Sequence, residues 1–450
     1  MSPLSPEQAA QPVENKEQLG AYLAVGARSK EHRYIGTELE KLVVDAETGE
    51  AAPYNRIEEL LTRIHAAGGW EPVYENRHLI ALRGDRSSIT LEPGGQLELS
   101  GALCSDIHCC HGDLVHHVDD ISGKAREIGL AFLGLGLQPF SPLDQIEWLP
   151  KERYRIMGPY MQRLGGYGRE MMTMSAGIQV NLDFTDEQDC IEKLRLGMML
   201  APLLYALFAN SPLLCGEPSG YLSTRGHLWG QTDPDRTGLV MALFDESASY
   251  QTYVDYALQV PMYFIVRDGR YLDLTRERFT FAQFWAEGAS GHRATMADWE
   301  LHLSTLFPEI RLRPQLEVRS ADALPREFSF AAAALLKGLF YDPTAQSEAM
   351  RLFDVDQLQQ SYRNAWQLGL KTAHAGRTLQ EIGADILELA REGLQRQKAS
   401  NDRGLDETIY LDVLEEVISS GTTLAERLLA RWQGSRQEKL AALFDHCAIS

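Results

Sequence analysis

Carboxylates recur at alternate positions in several short, otherwise apolar segments of this chain. In IGTELEKLVV, Glu38 and Glu40 stand two residues apart, so in an extended strand both point to one face while Thr37, Leu39 and Lys41 take the other. Glu92 shares a side with Thr90, opposite Ile89 and Leu91; beyond the Pro93-Gly94-Gly95 turn, Gln96 and Glu98 share a side opposite Leu97 and Leu99. In LEVRS, Glu317 and Arg319 alternate with Leu316 and Val318. Four such strands side by side would gather five carboxylates, Glu38, Glu40, Glu92, Glu98 and Glu317, on one surface. That many cannot stay ionised together without compensation. Hard cations supply it, and Mg²⁺ takes oxygen ligands that it shares with substrate phosphates. The set points to a nucleotide-dependent site with about two or three Mg²⁺ ions. For Glu38 and Glu40 alone a solvated outer face is the simpler reading; the whole set, beside glycine-rich turns, favours cations.

Arginine supplies the complementary charge. Arg153 lies in KERYRIM, Arg225 in STRGHLW and Arg236 in TDPDRTG. A guanidinium grips carboxylate or phosphate through two parallel bonds. Each of these alone reads as a surface ion pair, but Arg225 and Arg236 share the irregular segment 210–240 with Tyr221 and Trp229. A loop that long inside a compact domain is usually functional.

Other signals are weaker. His108, Cys109, Cys110, His111, His116 and His117 crowd one segment, yet their spacing fits no standard zinc pattern and no second Cys/His cluster follows. The adjacent Cys109 and Cys110 are not expected to pair with each other, and no distant cysteine is an obvious partner for either, so free thiols are expected. Gly134-Leu135-Gly136 lacks the third glycine of a dinucleotide fingerprint, because Pro139 stands there. The chain contains neither a GxxxxGK[ST] loop nor a GxSxG elbow.

To face one another, the acidic strands must lie in an antiparallel sheet with one face on the core and one face wet. Strands are expected at 34–44, 88–101 with its central turn, 131–137, 177–184 and 316–320, and a hairpin at 259–273 around Asp268-Gly269. In the 177–184 strand, Gln179, Asn181 and Asp183 alternate with Ile178, Val180, Leu182 and Phe184. Helices are expected at 17–28, 55–68, 106–128 and 187–209, with glycine-interrupted helix over 150–172 and clear helical periodicity at 378–398 and 406–432. The mixture makes an α+β fold.

The 450 residues are 44% hydrophobic and 24% charged, close to globular averages, which excludes collagen-like and wholly disordered chains. A net charge of −20 makes nucleic acid and anionic membrane poor partners. Six cysteines in so long a chain are no disulfide framework. The uncharged stretch Leu196 to Gly216 is broken by Asn210-Ser211-Pro212, and its apolar part is shorter than the ~20 residues of a membrane span, so a buried helix is expected. The polar start, MSPLSPEQAAQPVENKEQ, carries no signal-peptide pattern, and a cytoplasmic location is expected.

Read in order, IGTELEKL, LEPGGQLELSG, FLGLGLQP, KERYRIM, QVNLDF, FANSPL, TRGHLW, DPDRTG, DYALQVPMYF and LEVRSAD resemble the glutamate–cysteine ligases of plant and proteobacterial type, from about residue 20 to about residue 433. The resemblance implies a carboxylate–amine ligase fold related to that of glutamine synthetase: a curved antiparallel sheet forming a funnel, with helices packed outside. It implies ATP, L-glutamate and L-cysteine as substrates and γ-glutamyl phosphate as intermediate. By motif, Glu38, Glu40, Glu92, Glu98 and Glu317 would hold Mg²⁺; Gln179 and Asn181 would lie beside the metals or nucleotide. Arg225 would clamp the glutamate α-carboxylate, Arg153 and Arg319 would face phosphate or substrate, Tyr263 would border the acceptor pocket, and Arg236 joins the substrate-binding set. Glu317 and Arg319 are the catalytic pair expected. Residues 1–16 are expected as a flexible tail and 17–450 as a single catalytic domain, mostly helical from about 328, acting as monomer or homodimer. The plant-type long-range disulfide lacks a clear partner, since all cysteines but Cys447 fall at or before Cys215. A γ-glutamyl ligase for another amine, and a non-catalytic metal-binding scaffold built on the His/Cys helix, are the alternatives.

Overall fold

The computed structural model describes residues 4–275 and 277–449. At its centre is an open ten-stranded sheet. The strands are β1 Ile35–Asp45, β2 Glu71–Glu75, β3 His78–Arg83, β4 Ser88–Leu91, β5 Leu97–Ser100, β6 Leu130–Leu133, β7 Gly177–Leu182, β8 Ile310–Leu312, β9 Leu316–Asp322 and β10 Ala448–Ile449. Along the main path the order is β8-β9-β7-β1-β5-β4-β3-β2, with every neighbour antiparallel. β6 pairs with the far end of β1, and β10 with β6. Alternation works as expected in β5, where Leu97 and Leu99 are buried while Glu98 and Ser100 are only partly so. The β2–β3 hairpin was not among the expected strands; β2 reads EPVYE, mostly polar and lying at the sheet's end.

The turn between β4 and β5 is built on glycine. A Cβ on Gly94 would stand 2.0 Å from the Thr173 carbonyl oxygen, and Gly95 has φ +83°. Gly94→Ala is therefore expected to cost about 2–3 kcal/mol by overpacking. The readout is a lowered urea midpoint; an unchanged one would mean that the turn and the Thr173 segment separate freely.

Helices cover the apolar side of the sheet. In the helix Glu187–Leu207 every residue from Leu196 onward is buried. Among the described residues no helix is long and apolar enough to cross a membrane. Beyond Pro325 the chain is mostly helical: Arg326–Phe340, Pro343–Arg351, Val355–Leu368, Leu379–Gln397, Asp412–Ser420, Leu424–Ala430 and Arg436–Cys447. The 406–432 run is three pieces rather than one, because Gly421 (φ +63°) stops the helix Asp412–Ser420.

Two expectations are corrected here. Residues 4–16 are held in place: Ser5 caps the short helix Pro6–Ala9, Val13 is buried, and the Trp285 Nε1–H donates to the Val13 carbonyl at 2.8 Å. The cysteines are also not all free. Cys104 is bonded to Cys109, a short-range pair hidden in sequence because Cys104 lies outside the His/Cys-rich helix Ile107–Glu127.

Candidate active site

Strand register assembles the acidic row. Glu40 of β1 lies opposite Glu98 of β5, itself opposite Thr90 of β4. Glu38 lies opposite Gln179 of β7, and Asn181 opposite Glu317 of β9. Glu38, Glu40, Glu92, Glu98, Gln179, Arg153, Arg319 and Trp229 line one cavity of about 180 Å³. Gln179 Nε2 donates to Glu40 Oε1 (2.8 Å), the Gly177 N–H to Glu40 Oε2 (2.5 Å), and Asn181 Nδ2 to Glu38 Oε1 (2.9 Å). Ser100 Oγ donates to Glu98 Oε1 at 2.9 Å.

The row is electrostatically unsatisfied. Burial, then the Glu317 charge, raises Glu38; burial, then Glu92, pushes Glu40 up to about 7; burial, then Glu38, Glu92 and Glu40, pushes Glu98 well up. Gln179 Oε1 and Asn181 Oδ1 are buried without a partner. An all-oxygen donor set of crowded carboxylates and free amide carbonyls fits hard cations such as Mg²⁺.

The opposite wall is cationic. Glu317 is 1% exposed and bound by three guanidinium groups: Arg311 Nη2 reaches its two oxygens at 2.6 and 2.8 Å, Arg313 reaches it at 3.4 Å, and Arg319 pairs with it directly. Burial alone would raise Glu317; the charges of Arg311, Arg319 and Arg313 override it and hold the carboxylate well below its ordinary range. A bulge between Val318 and Ala321 interrupts the β9–β7 ladder, while on the β8 side the Arg319 N–H donates to the Glu309 carbonyl (3.0 Å). Arg319 then lies over Trp229 (5.5 Å) and Phe307 (5.7 Å). Arg311 and Arg313 were not singled out from the sequence, although IRLRPQLEVRS carries their two-residue spacing just before Glu317.

Within the segment read as an irregular loop, a short helix Thr224–Trp229 carries Arg225 and Trp229. Ser223 Oγ caps it, accepting from the Gly226 N–H (3.0 Å) and donating to Asp322 Oδ1 (2.8 Å). Asp322 also accepts from Ser211 Oγ (2.6 Å) and the Asn210 N–H (2.8 Å), so the end of β9 fixes this helix. Arg225 is 2% exposed, 4.0 Å from Asp322 and stacked over Trp229 at 5.6 Å. Its Nη2 donates to the Arg319 carbonyl at 3.0 Å, while Nε and Nη1 have no partner. Such a guanidinium is prepared for an anionic group. Arg153 lies over Phe264 at 5.6 Å, its Nε likewise unpartnered.

Of the expected residues, Asn181, Glu317, Arg225, Arg236 and Tyr263 do not line the cavity. Arg236 is fully buried, paired with Asp233 at 3.1 Å and stacked on Tyr263 (4.0 Å) and Tyr160 (5.4 Å). The Asp three residues before Arg236 pairs with it, while the Arg236 Nε and Nη1 have no hydrogen-bond partner.

An open antiparallel sheet bearing a carboxylate row walled by guanidinium groups agrees with the carboxylate–amine ligase fold that the motif resemblance implies. Residues 34–446 match the model of glutamate-cysteine ligase family 2, and the chain belongs to that family. The chloroplastic glutamate–cysteine ligase of Brassica juncea is 41% identical over 435 residues, 95% of this chain and 83% of that one. The chloroplastic enzyme of Arabidopsis thaliana is 40% identical over 436 residues, 96% of this chain and 82% of that one. A solved glutamate–cysteine ligase from Francisella tularensis, in complex with AMP, shares the fold at a TM-score of 0.55 and 13% identity, over 92% of this chain and 88% of that one. The plant relatives overturn one expectation: they are chloroplastic enzymes, so the cytoplasmic assignment does not stand.

Proposed function

We propose that this chain joins the γ-carboxylate of L-glutamate to the amine of L-cysteine with ATP, giving γ-glutamylcysteine, the first step of glutathione synthesis. The observation that carries the reading is the carboxylate row Glu38, Glu40, Glu92 and Glu98 facing Arg319 and Arg153 across one cavity. Those four carboxylates would hold Mg²⁺, with Gln179 Oε1 and Asn181 Oδ1 as further oxygen donors beside the metal or nucleotide. Bound there, Mg²⁺ would relieve the repulsion between triphosphate and incoming carboxylate and stabilise the transferring phosphoryl group. Arg225 would hold the α-carboxylate of glutamate beside Trp229. Arg319 and Arg153 face the phosphoryl group and the developing acyl phosphate. Glu317, expected as a metal ligand, serves chiefly as the counter-ion that holds Arg311, Arg313 and Arg319 together. The cysteine amine then displaces phosphate, and no protein nucleophile is needed.

ADP release measured with glutamate plus cysteine tests the reading. Release is expected to need both amino acids and to fall by ~10²-fold or more without Mg²⁺. Equal or faster turnover with 2-aminobutyrate or another amine would reassign the acceptor, and Mg²⁺-independent turnover would remove the role given to the acidic row.

A further inference from the structure

A buried carboxylate that takes no part in the chemistry above joins β9 to two helices. Glu309, just before β8, is 4% exposed. Ser320 Oγ of β9 donates to its Oε2 at 2.6 Å, and the Tyr205 and Tyr362 hydroxyls donate to its Oε1, the first at 3.3 Å. Those tyrosines belong to the helices Glu187–Leu207 and Val355–Leu368, and their rings lie 5.7 Å apart. Ser320 is fully buried and follows Arg319 in the bulge between Val318 and Ala321. The backbone of Arg319 is held at both ends: its N–H donates to the Glu309 carbonyl, and its carbonyl accepts from Arg225 Nη2, each at 3.0 Å.

We propose that Glu309 is a positioning residue for Arg319: through Ser320 its carboxylate fixes the bulge, and through Tyr205 and Tyr362 it ties that bulge to two helices, so that the Arg319 guanidinium is aimed into the catalytic cavity. The inference rests on the placement of Arg319 at the phosphoryl group. A bulge re-aims a side chain but also interrupts the ladder, so the extra residue needs another anchor. A carboxylate offers about four acceptor sites, enough to take the serine and both tyrosines at once. Tyr205 also floors the helix that carries Arg225, since a Cβ on Gly226 would stand 2.8 Å from its ring. The same side chains therefore register the two arginines against each other.

Glu309 does not line the cavity, so its influence on the reaction passes through Arg319. Nothing local marks it: Ser320, Tyr362 and Tyr205 lie 11, 53 and 104 positions away, and only the folded chain brings them together.

The test compares kcat, KM and Tm of the whole chain with those of Ser320→Ala, Glu309→Gln, Arg319→Ala and the pair Ser320→Ala with Arg319→Ala, by ADP release with glutamate and cysteine at saturating Mg²⁺. Ser320→Ala deletes the hydroxyl that links bulge to carboxylate, and Glu309→Gln leaves a single acceptor oxygen for three hydroxyls. Each should lower kcat ~10-fold and keep KM for ATP and for glutamate within about threefold, because a small misplacement is felt mainly in the transition state. Arg319→Ala alone should lose ~10²-fold or more. Adding Ser320→Ala to it should cost less than about twofold further, since no guanidinium is left to aim. A merely structural role would lower Tm and leave the kcat of the folded chain unchanged, or multiply the two losses in the pair. Parent-like kcat in Ser320→Ala, or multiplied losses in the pair, overturns the proposal alone; parent-like kcat in Arg319→Ala overturns with it the role given to Arg319. Ser320→Ala, smaller by one oxygen, carries the test should Glu309→Gln not fold.

Discussion

Glu40→Gln is expected to lower kcat by ~10²-fold or more while making the metal-free chain more stable than its parent. Glu40 sits between Glu38 and Glu92 on the cavity wall, opposite Glu98, where burial and then the Glu92 charge push its carboxyl from the ordinary 4.5 up to about 7. A folded pKa above the unfolded one means that the favourable contribution is complete below about pH 4.5 and is lost as pH rises through about 7. The metal-free parent should therefore lose Tm across that window, and the glutamine variant should show a flatter profile. The amide fits: Gln179 Oε1 has no partner, so that side chain can turn over to accept from the new Nε2–H. Catalysis should suffer because an amide lacks the charge that holds a divalent ion. Parent-like kcat at saturating Mg²⁺, or an unchanged pH profile of Tm, would remove Glu40 from the cation row.

Arg225→Ala should raise KM for glutamate ~30-fold or more and leave KM for ATP nearly unchanged. A bidentate pair to a carboxylate where water is excluded contributes roughly 2–4 kcal/mol. Arg225 also neighbours the buried Asp322, and removing one partner of a buried ion pair strands the other charge. The alanine chain should thus also lose stability, moderated by the Ser211, Ser223 and Asn210 donors that Asp322 keeps. Arg225→Lys separates the two effects: it retains charge beside Asp322 but not the fork, so its Tm should recover further than its glutamate KM. A rise in KM for ATP instead would make Arg225 a phosphate ligand.

The acidic strands were legible because the two-residue period of a strand is a local property of the backbone: knowing that Glu38 and Glu40 share a face requires only five neighbouring residues. The Pro93-Gly94-Gly95 turn was legible for the same reason, and the helices because a 3.6-residue apolar period spans a dozen positions. The ordered motifs from IGTELEKL to LEVRSAD carried the family. What no local pattern contains is which strand lies beside which. The pairing of Glu40 with Glu98, and of Asn181 with Glu317 across 136 positions of chain, is set by sheet register. The same applies to charge compensation. Arg225 and Arg236 look alike in sequence, yet Arg236 lies 3.1 Å from Asp233 and stacks on Tyr263, while Arg225 lies 4.0 Å from Asp322 and stacks on Trp229, because the cap Ser223 ties its helix to Asp322 on β9. Residue types and spacing determined which side chains could share a face and what chemistry they could perform. Tertiary structure decided which of them meet, which are already satisfied by a neighbour, and which remain open, since desolvation and Coulomb energy depend on distances that only the folded chain sets.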